Sequence, residues 1–190
     1  MVALIEPETA RLKLRQWRAT DRGPFAALNA DPRVMECFPA PLVRAASDAM
    51  ADRCQTLIAE RGWGFWAVEE RAGGRFIGFV GLNIPAADLP FSPCVEIGWR
   101  LARPFWGQGL ATEAATAALH VGFEHLDLTG IVAFTAIGNT RSRAVMTRLG
   151  MEPSADTFLH PAVPADSPLR EHCLYRLSRE SWRAAPPVTR

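Results

Sequence analysis

The chain has 190 residues, 48% of them apolar and 22% charged, a size and balance that suit one folded domain and leave little room for two. Twenty-one Lys plus Arg against twenty Asp plus Glu give a net charge of +1, so no bulk field draws the protein to nucleic acid or to an anionic membrane. Cys37, Cys54, Cys94 and Cys173 stand singly, with no C-x-x-C pair and no closely spaced Cys/His cluster, which argues against a disulfide framework or a metal site. The N-terminal segment lacks the basic-then-apolar order of a signal peptide, and no run of eighteen apolar residues occurs. The expected location is cytoplasmic.

In chain order, Leu12 to Trp17 alternate apolar and polar, which predicts a half-buried strand. Thr20 and Asp21 offer caps for a helix ending near Asn29, and a second helix is expected from Ser47 to Glu60 with Gly62 as its stop. Phe65–Glu69 and Phe76–Ile84, separated by Ala-Gly-Gly, read as a hairpin. Its alternation places Phe76, Val80, Leu82 and Ile84 on one face and Ile77 and Phe79 on the other. A proline-rich loop leads to a strand over Val95–Leu101. Apolar residues every three to four positions then predict a long helix from Leu110 to about Leu126. A strand (Ile131–Ile137), a short helix (Thr140–Leu149, stopped by Gly150) and two strands near Thr157 and Leu174 follow, with a frayed tail from Ala184. The pattern predicts a single α/β domain of the α+β kind, a central mixed sheet carrying helices on its faces.

Val95 to Ala114 is the most informative stretch: a strand, a loop with Gly107 and Gly109, then a helix start. Glycines admit a ligand close to the backbone, and the first N–H groups of a helix have no intrahelical partner. Such a terminus suits a phosphate or pyrophosphate, although two glycines before a helix are also simply a tight connection. Neither a Walker loop nor a G-x-G-x-x-G fingerprint is present.

T-x-R-L-x-L-R (Thr9–Arg15), F-I-G-x-x-G-L (Phe76–Leu82), E-I-G-W-R-L, W-G-Q-G-L-A-T-E-A and N-T-R-S-R-A-V-M-T-R-L-G-M (Asn139–Met151) occur in this order. Together they resemble the GCN5-related N-acetyltransferase (GNAT) superfamily, in the branch of the ribosomal-protein N-terminal acetyltransferases, over nearly the whole chain. The resemblance implies a mostly antiparallel sheet that splays at a cleft for acetyl-CoA. The loop Trp106, Gly107, Gln108, Gly109, Leu110 and Ala111, with Thr112 behind it, would give N–H groups to the CoA pyrophosphate. Trp106 stands where the wider superfamily has a basic or amide residue. Trp99, Arg100 and Leu101 would line the pantetheine arm, Asn139 would contact it, and Arg143, with Arg100, Arg103 and Arg141, would be candidates for the phosphates. Without the resemblance Asn139 reads equally as a helix cap and the arginines as exposed charges.

Acetyl transfer needs a base, a polarised carbonyl and a proton donor for the departing thiolate. Glu96, on the strand before the loop, is the candidate base, with a salt-bridged strand residue as its plain alternative. The resemblance implies that main-chain N–H groups near Trp99–Leu101 polarise the carbonyl. The helix after Asn139 carries no tyrosine. Ser142 is the Ser of N-x-x-S, and the resemblance to the ribosomal-protein branch implies that it protonates the thiolate; its plain alternative is a helix-start serine bonding backbone. An α-amine, whose unperturbed pKa is about 7.7–8.0, loses its proton at neutral pH for about 1 kcal/mol, whereas lysine at about 10.4 requires about 4.6 kcal/mol. A single carboxylate therefore suits a peptide or protein N-terminus. A small amine (polyamine, amino acid or aminoglycoside) and a non-catalytic acyl-CoA-sensing module are the alternatives. The resemblance would build the acceptor pocket from Glu36–Pro39, Trp63–Trp66 and Phe158–Arg170, whose aromatics serve equally as core. His120 and His125, five residues apart, miss the i, i+4 metal face, so no metal is expected. Oligomeric state, a homodimer included, is left open.

Overall fold

The computed structural model describes residues 2–184. Seven strands among them form one sheet: β1 (Leu12–Arg15), β2 (Phe65–Glu70), β3 (Arg75–Asn83), β4 (Glu96–Leu101), β5 (Gly130–Ala136), β6 (Glu152–Leu159) and β7 (Glu171–Ser178). Their spatial order is β1-β2-β3-β4-β5-β7-β6, and every neighbouring pair is antiparallel except β4 and β5, which run parallel. The helices are α1 (Arg22–Ala30), α2 (Arg44–Arg61), α3 (Leu110–His120), α4 (Thr140–Arg148) and α5 (Arg179–Ala184). This is the expected mixed sheet.

Its two faces are covered differently. Phe25 of α1 packs against Phe76 and Phe79 of β3, with ring centroids 6.2 and 6.0 Å apart, and α2 lies on β2. On the opposite face α3 lies on β3 and β4. Ala114, Ala115 and Ala118 of α3 are fully buried there, small enough to let the helix axis approach the sheet. Leu119 and Phe123 anchor its far end, each contributing roughly 1.5–3 kcal/mol by leaving water.

Several expectations are corrected by packing. The β2–β3 register steps from Val68↔Gly78 to Glu69↔Phe76, so Ile77 is an extra residue, a β-bulge. The bulge turns Phe76 onto the same side as Phe79, against the alternation read from the sequence. Gly78 is required there: its φ is 147°, and a Cβ would meet the Arg100 carbonyl oxygen at 2.1 Å. Ile84 lies beyond β3 and is exposed. Asp21 does not cap α1. Its carboxylate, itself buried, accepts from the buried Arg15 guanidinium at 2.7 and 2.9 Å and from the Arg18 N–H.

The predicted long helix ends as α at His120 and continues as a wider π turn through His125, with the Leu126 N–H bonded to the Val121 carbonyl at 3.0 Å. That winding brings the His120 and His125 rings to 5.6 Å, which their five-residue spacing would not do on an α-helix. Helix α2 starts earlier than expected and stops at Gly62, as expected. Helix α5 has no counterpart among the expected elements; its Trp182 ring stacks near Phe123. Ala184 ends α5, and the rest of the expected frayed tail lies outside the described residues.

Candidate active site

Strands β4 and β5 share one registered pair, Glu96↔Val132, next to a bond from the Val132 N–H to the Val95 carbonyl. Beyond it they diverge. The divergence opens a cleft of about 890 Å³ between the edge of β4, the end of β5, the loop before α3 and the start of α4. Of the residues singled out in the sequence, Glu96, Trp99, Arg100, Leu101, Trp106, Gly107, Gly109, Leu110, Ala111, Thr112, Asn139 and Ser142 line it.

Gly109, with φ 77°, turns the chain into α3, and Gly107 has φ 71°. The first helical bond is from the Glu113 N–H to the Gly109 carbonyl at 3.0 Å, so the N–H groups of Leu110, Ala111 and Thr112 are unmatched within the helix. A network read from neither motif alone fixes this loop. The Glu113 carboxylate accepts from the Thr9 hydroxyl (2.5 Å), the Arg11 N–H (3.0 Å) and the Arg11 guanidinium (2.6 Å), while Arg11 also donates to the Gln108 carbonyl at 3.0 Å. Burial opposes ionisation of Glu113, but these bonds outweigh it and hold its carboxyl below the usual range. The T-x-R and T-E-A motifs thus meet across about a hundred residues to fix one loop. The Gln108 side chain itself turns back to the Pro104 carbonyl.

Trp106 donates its indole N–H to the Leu101 carbonyl at 2.7 Å, and the Arg141 guanidinium lies over its ring at 4.5 Å. Arg141 also pairs with Glu36, in the segment between α1 and α2. Positive charge absent from position 106 is therefore supplied over it by α4. Arg148 joins the lining, whereas Arg103 and Arg143 do not. Arg143 donates instead to the Ile137 carbonyl and approaches the Tyr175 hydroxyl.

Glu96 accepts from the Asn83 side-chain amide at 2.8 Å. Burial pushes its carboxyl pKa up, partly offset by that bond, so its basicity exceeds that of an ordinary glutamate. Asn139 is a true cap: its oxygen accepts from the Ser142 N–H (3.1 Å) and its amide donates to the Thr135 hydroxyl (2.9 Å). Ser142 is half-buried, and no hydrogen bond among the described residues engages its hydroxyl.

Arg100 departs most from expectation. Only 9% exposed, it donates to the Asn29 side-chain oxygen at 2.6 Å, with its guanidinium 4.1 Å from the Phe38 ring and 5.4 Å from Phe79. It is tied to the α1 side of the sheet, not to the pyrophosphate loop. Burial pulls its pKa down to about 10.

The other wall comes from β5–β7. Phe134, His160, Ala162, Val163 and His172 line it, and the two imidazoles lie 4.8 Å apart. Burial lowers both histidine pKa values, which favours the neutral rings. Neither carried a motif; strand pairing alone joins them. All of Glu36, Cys37, Phe38 and Pro39 line the cleft as expected. From Trp63–Trp66 only Phe65 does, because Trp66 is fully buried in the core with its indole bonded to the Ile5 carbonyl.

Comparison with known proteins agrees with this geometry. Residues 11–152 match the acetyltransferase (GNAT) domain family. The FsC-acetyl coenzyme A-N(2)-transacetylase of Aspergillus fumigatus is 30% identical over 193 residues, spanning 96% of this chain and 80% of that protein. A Bacillus subtilis protein, YdaF, provisionally named a ribosomal N-acetyltransferase, is 40% identical over 55 residues, 29% of this chain and 30% of its own. A GNAT-family acetyltransferase structure from Bacillus anthracis superposes with a TM-score of 0.76 at 21% identity, covering 93% of this chain and 99% of that one. The chain belongs to the GNAT acetyltransferase family, and it is an N-acetyltransferase of a family that uses acetyl-CoA.

Proposed function

We propose that the protein transfers acetyl to an α-amine, most directly that of a peptide or protein N-terminus. The observation that carries this reading is Glu96: a half-buried carboxylate on the cleft wall whose single hydrogen-bonded partner among the described residues is the neutral Asn83. With no cation holding its proton affinity down, it suits accepting one proton from an ammonium group that is already weakly acidic.

Bound acetyl-CoA would supply the activated thioester. The α3 N-terminus with Gly107 and Gly109 fits its pyrophosphate, and the unpaired edge of β4 from Gly98 to Leu101 fits an amide-bearing arm. Glu96 takes the amine proton as nitrogen attacks, main-chain N–H groups of that edge polarise the carbonyl, and the Ser142 hydroxyl gives a proton to the departing sulfur.

A polyamine or aminoglycoside acceptor fits less well. Glu36 and Glu96 are the carboxylates on the cleft wall, against Arg100, Arg141 and Arg148, and Glu36 is already paired with Arg141. A polycation would be repelled. A small molecule with one amine remains a second reading, favoured by the N(2)-transacetylase relative.

Glu96→Gln is expected to lower kcat by about 10²-fold or more while calorimetry finds acetyl-CoA affinity unchanged. The base's raised pKa also predicts that activity fails, on acidification, at a higher pH than an unperturbed glutamate would allow. An undiminished rate in the variant removes Glu96 from the role.

A further inference from the structure

Arg100 is a buried cation without an anion. Among the described residues no carboxylate lies within 4 Å of it; Asn29 satisfies one guanidinium nitrogen, and Nε, which is buried, has no partner. Removing a guanidinium from water costs several kcal/mol unless a counter-charge repays it. Aromatic faces, here Phe38 and Phe79, return only about 0.5–2 kcal/mol. Arg100 and both of these rings line the cleft.

Register fixes what lies beside it. In the β3–β4 pair Asn83 is opposite Glu96, Gly81 opposite Gly98 and Phe79 opposite Arg100. Side chains alternate along a strand, so Glu96, Gly98 and Arg100 share one face. Between the two charged residues stands Gly98, where a Cβ would lie 3.1 Å from the Phe65 ring. The face is thus a trough with an acid at one end, a cation at the other and an aromatic floor. Its charged ends are four residues apart on one strand, about 13 Å between Cα atoms.

We propose that Arg100 is the receptor for a carboxylate carried by the acceptor, so that the acceptor enters as a zwitterion with its α-amine at Glu96 and its carboxylate at Arg100. This inference rests on the α-amine reading above and sharpens it. A planar guanidinium bonded to protein through one terminal nitrogen, among the described residues, keeps donors for a carboxylate. With ends so far apart the carboxylate lies a residue beyond the amine, and it has two sources, the C-terminal carboxylate of a dipeptide or an acidic side chain at the second position of a peptide.

The test compares alanylalanine with its amide, and an amide-capped peptide beginning Ala-Asp with one beginning Ala-Asn, in a CoA-release assay. In the wild type kcat/KM favours the carboxylate member of at least one pair by about tenfold or more. The responding pair names the source. In Arg100→Met the ratio collapses toward one, whereas Arg100→Lys keeps part of it. No preference in either wild-type pair, or a preference that survives in Arg100→Met, overturns the proposal. If all four compounds stay unacetylated while calorimetry shows acetyl-CoA bound, the α-amine reading falls and this inference with it.

Discussion

At the scale of single residues, function and stability are set by where charges end up, and that is the property a sequence conceals most. The motif E-I-G-W-R-L, one strand before the glycine loop, singled out Glu96, and the structure puts that residue on the cleft wall. Arg100 in the same motif was misplaced, since arginine is exposed by default and its burial depends on Phe38, Phe79 and Asn29 from three separate segments. Asp21 shows the same gap. A cap needs only local chain, but Asp21 is taken by Arg15, and both side chains are nearly inaccessible, at 2% and 3%. Burial lowers the Arg15 pKa and its bonds with Asp21 and Glu69 more than restore it. Asp21→Ala should therefore leave Arg15 buried with Glu69 as its remaining counter-ion and destabilise the protein by about 3 kcal/mol, measured by urea unfolding. A loss below about 0.5 kcal/mol would mean that the pair contributes no more than an exposed one.

At the scale of elements, periodicity located all seven strands and the first four helices, because alternation and the three-to-four repeat report burial of one face. It failed where backbone geometry changed the period. The bulge at Ile77 reverses Phe76, and the π turn after His120 alters which residues stack; neither leaves a mark in apolar spacing. The glycine turn into α3 was readable from the sequence, but its bracing by Thr9 and Arg11 required the tertiary fold. That bracing carries a pH signature. Glu113 has a depressed pKa in the folded chain, so its contribution is complete above the unfolded value, about 4.3, and is lost as pH falls through the folded one. Wild type should unfold at a higher temperature than Glu113→Gln at pH 7, with the difference vanishing at acid pH below the carboxylate range. A difference that persists there would show that Glu113 acts through neutral hydrogen bonds and not through its charge.

At the scale of the whole molecule, the parallel β4–β5 contact is the weak seam around which the site is built. A sheet that held these strands together to their ends would bury the β4 edge and abolish the cleft. Ending the pairing at Glu96 and Val132 leaves polar backbone exposed along Gly98–Leu101 and places the α3 N-terminus at the mouth. A ligand that closes this seam binds the folded chain alone, so it must raise stability by mass action. At a concentration one hundred times Kd the gain is about 2.7 kcal/mol, which for a domain of this size raises Tm by roughly 5–11 °C. Acetyl-CoA should give such a shift in a thermal melt. Gly109→Val should remove most of it: Gly109 holds φ 77°, which a β-branched residue adopts only under strain, while the nearest protein atom to an added Cβ is the Arg11 guanidinium at a comfortable 3.6 Å. The variant's own fold thus meets a backbone penalty and no clash, and the side chain's remaining reach is toward the ligand. A full acetyl-CoA shift in Gly109→Val would move the pyrophosphate away from the α3 N-terminus and leave the seam to some other occupant.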